Sequence, residues 1–111
     1  MLFRSVLLEN LTCMAEFVLE ATYVGIPDEK WGERPMAIVK LVPGATAKPT
    51  DIIAFLRKEG LETGKITSWM LPDFVCFTDD IPKTSVGKFD KIAIRKKTAD
   101  FLATAERVHK V

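Results

Sequence analysis

The stretch EFVLEATYVGI, residues 16–26, is rich in β-branched and aromatic side chains and is apolar on both of its alternating faces. A strand with one wet face alternates polar and apolar residues, so a run that is apolar on both must be covered from above and below. This requirement predicts a sheet with helices packed on it, and the rest of the chain supplies matching parts. PDEKWGE breaks the run, and RPMAIVKLV (34–42) reads as a second strand. PGATAKPTD is a turn-rich connection that leads to Thr50 as a helix cap. The following helix, 51–59, carries Ile52, Ile53 and Leu56 on one stripe, with Gly60 where a helix usually stops. KITSWMLP holds a helical turn before Pro72, and DFVCFTD (73–79) reads as a third strand.

At the two ends the pattern is helical. Ser5 stands as a cap before Val6, Leu7, Leu8, Leu11 and Met14, and Asp90 as a cap before a long helix, 91–108, with Ile94, Phe101, Leu102, Ala105 and Val108 on one side. Strand and helix signals therefore alternate around about three strands, and the expected class is α+β: one small sheet with helices against it.

A chain of 111 residues suits a single domain with one core and is too short for a deep catalytic pocket of its own. With 16 basic against 15 acidic residues, the totals suggest no polyanion-binding surface, so any handling of anions has to be local. No nucleic-acid partner is expected. Cys13 and Cys76 lie far apart, each in an apolar run, and read as buried thiols rather than a metal or redox pair; no metal-ligand set is visible. No apolar run reaches the length of a membrane span and no signal peptide is recognisable, which points to the cytosol.

One segment does not fit the description of an ordinary small domain. DDIPKTSVGKFDK, residues 79–91, gathers Lys83, Lys88 and Lys91 around Thr84, Ser85 and Gly87. Low bulk there lets a backbone approach a ligand, whereas a solvated turn with lysines for solubility is the plainer alternative. It is not a phosphate-binding loop of the Walker type, because one glycine precedes the lysine and no hydroxyl residue follows it.

Taken in order, GIPDEKWGERPMA and, some fifty residues later, LPDFVCFTDDIPKTSVGKFDKIAIRK resemble the C-terminal domain of the AMP-forming acyl-CoA synthetases. This adenylating family includes luciferases and peptide-synthetase adenylation domains. The likeness covers about residues 5–97, PKTSVGK being similar to the family's last core motif; EKWGERP, WMLPD and KTSVGKFDK look most like medium-chain fatty acyl-CoA ligases. The resemblance implies a lid that serves an ATP-dependent ligase. Such enzymes join a carboxylic acid to ATP and then pass the acyl group to the thiol of CoA, with ATP, Mg and CoA as co-substrates or activator.

By that resemblance Lys88 is the catalytic lysine, and Thr84, Ser85 and Gly87 form the loop that carries it to the adenylate. Lys83 and Lys91 match no catalytic position and read as solvent-facing or structural. The family also implies a second face, with Trp31, Gly32, Arg34 and Lys65 near the CoA channel. Each has a plainer alternative: Trp31 as a core lid, Arg34 as a solvent charge at a strand end, Lys65 as a helix-end cation. Tyr23, Trp69 and Phe74 fit packing, and His109 has no visible catalytic partner.

The resemblance further implies a partner, the large N-terminal adenylating domain, on the same or a separate chain. The family's hinge is expected just before residue 5, where this sequence has only MLFR, so the chain is expected to be a fragment or a separate product that binds ATP weakly by itself and is inactive alone. Faces that dock the partner domain are expected to favour self-association of the fragment. A stand-alone binding module that kept the fold without catalysis is the alternative.

Overall fold

The computed structural model describes residues 5–30 and 32–108. Its centre is a four-stranded mixed sheet in the order β1-β2-β3-β4. Strand β1 (Val18–Asp28) pairs antiparallel with β2 (Gly32–Leu41), β2 parallel with β3 (Phe74–Phe77), and β3 antiparallel with β4 (Glu106–Arg107). The first three strands are those expected from the sequence. The fourth is an addition, because the end of the chain leaves the helical path.

The apolar character of both faces has the expected cause. On one side Ala21, Tyr23, Ala37, Val39 and Val75 pack with Leu8 and Leu11 of α1 (Ser5–Cys13) and with Ile52 and Leu56 of α2 (Pro49–Leu56). On the other, Val24, Ile26, Met36, Ile38 and Cys76 pack with Ile94 of α3 (Lys91–Lys96) and Phe101 of α4 (Thr98–Thr104). Consecutive residues of β2, Met36 to Val39, thus enter the two cores in turn, as a period of two requires.

Several local expectations are corrected. The helix expected from 51 starts at Pro49, with Lys48 rather than Thr50 in the capping position, since proline's fixed φ suits the first helical residue. The Asp51 carboxylate accepts from the Lys48 N–H at 2.7 Å. Gly60 does not end this helix. The chain continues through a π turn, Arg57–Leu61, and the positive φ that halts it is at Gly64. Gly60 is there for room: a Cβ would lie 2.9 Å from the Ile66 side chain. The helical turn before Pro72 is a 3-10 turn, Ser68–Met70.

Asp90 caps α3 as expected, accepting from the Ala93 N–H at 3.0 Å. The long final helix is broken at Lys97, however, and Ala105 turns extended to let Glu106 and Arg107 join the sheet. Arg107 then covers the Phe74 ring, 5.4 Å from its centroid. Of the two thiols only Cys76 is buried; Cys13 is exposed. It is the last residue of α1 and is exposed although Leu11, Thr12 and Ala15 around it are buried, so it lies off the inward-facing side of that turn. Ser5 is the first residue of α1, and its capping side chain, like His109, lies outside the described residues.

A buried ion pair holds the start of the parallel strands. Arg34 is 2% exposed, and its Nη2 donates to Asp73 Oδ1 at 3.1 Å and to the Leu71 carbonyl at 2.8 Å, while Nη1 donates to the Trp69 carbonyl. The Asp73 N–H donates to the Pro35 carbonyl at 3.0 Å. Removing one partner of such a pair leaves an uncompensated buried charge. Asp73→Ala is therefore expected to lower the unfolding free energy by about 3–5 kcal/mol, measured by urea titration.

Tyr23 is fully buried, with its hydroxyl 2.7 Å from Thr12 Oγ1. Burial raises its phenol well above the ordinary value, with the Thr12 hydrogen bond opposing only in part. The folded state thus holds that proton more tightly than the unfolded state does. Stability from this source is intact below the unfolded value of about 10 and falls as pH rises beyond it. The Tyr23→Phe protein is expected to show a flatter loss of stability between about pH 10 and 11 in denaturant titrations.

Candidate functional site

The lysine-rich segment is a tight β-hairpin, a more ordered object than the loop its composition suggests. Lys83 and Phe89 form an antiparallel bridge, the Thr84 N–H donates to the Lys88 carbonyl at 2.7 Å, and the Gly87 N–H donates to the Thr84 carbonyl at 3.0 Å. The Asp90 N–H closes the base on the Pro82 carbonyl at 2.9 Å. Ser85, Val86 and Gly87 are the turn. Gly87 has φ +86°, the left-handed position that completes a three-residue hairpin loop and that a side chain would strain.

Thr84, Ser85, Gly87 and Lys88 are all exposed on this hairpin, so the structure brings together the whole set expected to carry the catalytic lysine. Val86 at the tip is 77% exposed. The three lysines are not equivalent. Lys83 is paired with Glu20 of β1, and Lys91 with Glu9 of α1, Lys91 Nζ also reaching Thr22 Oγ1 at 2.7 Å. Among the described residues the Lys88 ammonium has no ion pair or side-chain hydrogen bond, unlike those of Lys83 and Lys91. Glu9, Glu20 and Thr22 carry no signal in the sequence, because they lie 63 to 82 residues from the lysines they hold.

The residues expected on a second face separate. Gly32 is exposed at the turn between β1 and β2, with φ +81°, a conformation that calls for glycine. Trp31 lies outside the described residues. Arg34 is buried, not the solvent charge at a strand end that was the plainer expectation; its Nη donors are spent on Trp69, Leu71 and Asp73. Its Nε has no partner among the described residues. Lys65 is exposed in the turn after the π turn. Glu20, beside the hairpin, and Asp28, opposite Gly32, stand at opposite ends of β1, roughly 25 Å apart by strand rise. The hairpin and the Gly32 turn are thus two distinct surfaces.

The chain belongs to the family of AMP-binding enzyme C-terminal domains, whose model matches residues 7–88. It is 40% identical over 93 residues to the 2-methylpropanoate–CoA ligase CCL4 of Humulus lupulus, covering 82% of this chain and 16% of that protein. It is 40% identical over 102 residues to a long-chain-fatty-acid–CoA ligase of Thermus thermophilus, covering 91% of this chain and 18% of that one. Among solved structures it resembles the amide bond synthetase McbA from Marinactinospora thermotolerans, with a TM-score of 0.73 and 30% identity over 85% of this chain and 18% of that one. The chain therefore spans less than a fifth of the relatives it matches. Among the described residues no helix is long and apolar enough to cross a membrane, and no group of three or more His, Cys, Asp or Glu is placed to hold a metal.

No atom lies within 4 Å of a Cβ built on Gly87, so a substitution there meets strain without a clash. Gly87→Val is expected to cost about 1–2 kcal/mol in hairpin closure while leaving the two cores intact. Amide exchange at Thr84 and Asp90 should then speed roughly tenfold or more, with protection of Ile38 and Val39 unchanged.

Proposed function

We propose that this domain is the lid of an AMP-forming acid–thiol ligase and that Lys88 serves the adenylation step. The supporting observation is the exposed, uncompensated ammonium at the end of a hairpin whose other lysines are ion-paired. In that step a carboxylate oxygen attacks the α-phosphorus of ATP, and the bond to the leaving pyrophosphate breaks. Negative charge builds on the reacting oxygens, and a compact cation held beside them stabilises it without giving up a proton. The thiol of CoA then attacks the acyl carbonyl carbon, and AMP leaves.

Delivery requires a partner. The adenine pocket, the acyl channel and most contacts to the phosphates belong in this reading to a large N-terminal adenylating domain on the same or another chain, with Mg arriving as the complex of ATP. Thr84, Ser85 and Gly87 keep the hairpin narrow, and the bare Val86 suits a tip that enters an apolar cleft. Gly32, Trp31 and Lys65 remain the candidates for the face that meets CoA. Arg34 acts there through the fold, by fixing the strand that starts at Gly32, because the side chain is buried and both of its Nη groups are engaged. A fatty acid is the proposed acyl substrate and the cytosol the proposed setting.

The two half-reactions test the assignment in the intact ligase. Lys88→Ala is expected to slow pyrophosphate release on the order of 100-fold, as loss of one preorganised donor to a developing anion does, while thioester formation from supplied acyl-adenylate stays near the parent rate. Lys88→Arg should recover only part of the loss, since a planar fork does not replace a compact ammonium. Equal loss in both half-reactions, or none in the first, would refute the role.

A further inference from the structure

The hairpin is tethered on both arms to the same strand. On the outgoing arm the Lys83 ammonium is paired with Glu20. On the return, at the start of α3, Lys91 is paired with Glu9 and donates to Thr22 Oγ1 at 2.7 Å. Glu9 Oε2 also accepts from Thr22 Oγ1 at 2.9 Å and from the Tyr23 N–H at 3.3 Å, so this carboxylate is itself fixed by β1. Glu20 and Thr22 are two residues apart on one strand and face the same side. The backbone bonds of the turn shape the tip, Ile81 and Phe89 seat the base on the second core, and the two ion pairs tie the charged arms to the domain above that base.

We propose that Glu20 and Glu9 are positioning residues for Lys88. Resting on the adenylation reading above, the inference adds a second function for the pairs. They neutralise the two lysines that would otherwise compete with Lys88 for the same phosphate oxygens. Three free ammoniums, two on the hairpin and one at the start of α3, would bind a polyphosphate in several registers, only one of which puts a cation at the reacting oxygens. With Lys83 and Lys91 compensated, one register remains. Ground-state attraction for ATP is lower as a result, and the charge that is left is placed where it develops in the transition state.

Glu20→Gln is the informative variant, because it keeps the shape, removes the charge and lies at a half-exposed pair on which the core does not depend. Exposed pairs contribute modestly, so the expected changes are small and specific. In this 111-residue chain the heteronuclear NOE of the Val86, Gly87 and Lys88 amides should fall, and it should fall in the parent too when salt is raised to about 1 M. In the intact ligase, kcat for pyrophosphate release should drop roughly 2- to 5-fold with KM for ATP unchanged or lower, and thioester formation from supplied acyl-adenylate should be untouched. Adding Glu9→Gln should deepen the drop to about 10-fold, and the swapped pair Glu20→Lys with Lys83→Glu should restore both the NOE and kcat. Unchanged NOE values in Glu20→Gln, a rise in KM in place of a fall in kcat, or a swap that fails to rescue would each overturn the proposal. The two claims also fail separately: if Lys88→Ala were harmless the adenylation reading would fall, while the NOE and swap would still decide whether the pairs fix the hairpin.

Discussion

Arg34 and Asp73 form the constraint on which the sheet depends. A parallel pair of strands cannot be closed by a short turn, and between β2 and β3 the chain runs through α2, a π turn and a 3-10 turn before it returns. Nothing local sets the register of that return. The guanidinium of Arg34 sets it by gathering the Trp69 and Leu71 carbonyls and the Asp73 carboxylate at the start of β2, directly before the pairing of Met36 with Phe74 begins. A charge buried this deeply is stable only with its partners in place, so the register that provides them is favoured over any slipped one.

The candidate site inherits this order. β1 is fixed by its antiparallel pairing to β2, and β1 carries Glu20 and Thr22, the groups that hold Lys83 and Lys91. From β3 the chain passes through buried Ile81 into the hairpin, and from Phe89 into α3, whose Ile94 is in the second core. The hairpin is therefore a small exposed structure with a well-anchored base. Two lysines spend their charge on that anchorage and one does not, which is how a segment dense in cations presents a single one.

The same economy of donors separates the two surfaces of the domain. A residue with several strong donors serves either the interior or a ligand, and Arg34 serves the interior. Gly32, exposed beyond the far end of β1 in its left-handed conformation, has no such role in the interior. The body between the two surfaces is a sheet covered by helices on both faces.

Much of this was legible in the order of residues alone. The apolar pattern of residues 16–26 demanded cover on both faces, the stripes at Ile52, Ile53 and Leu56 and at Ile94 and Phe101 supplied it, and the Asp90 cap marked where the last helical region begins. These are periodicities and caps, which act over a few residues and so leave a local trace. The motif order that tied the chain to its family was legible for the same reason. The break at Lys97 and the fourth strand were not, because Glu106 and Arg107 become a strand only by finding the free edge of β3. Arg34 and the three lysines look alike as letters in a sequence. Which of them is buried, which are paired and which is left bare depends on carboxylates and carbonyls tens of residues away, and only the tertiary structure brings those groups together.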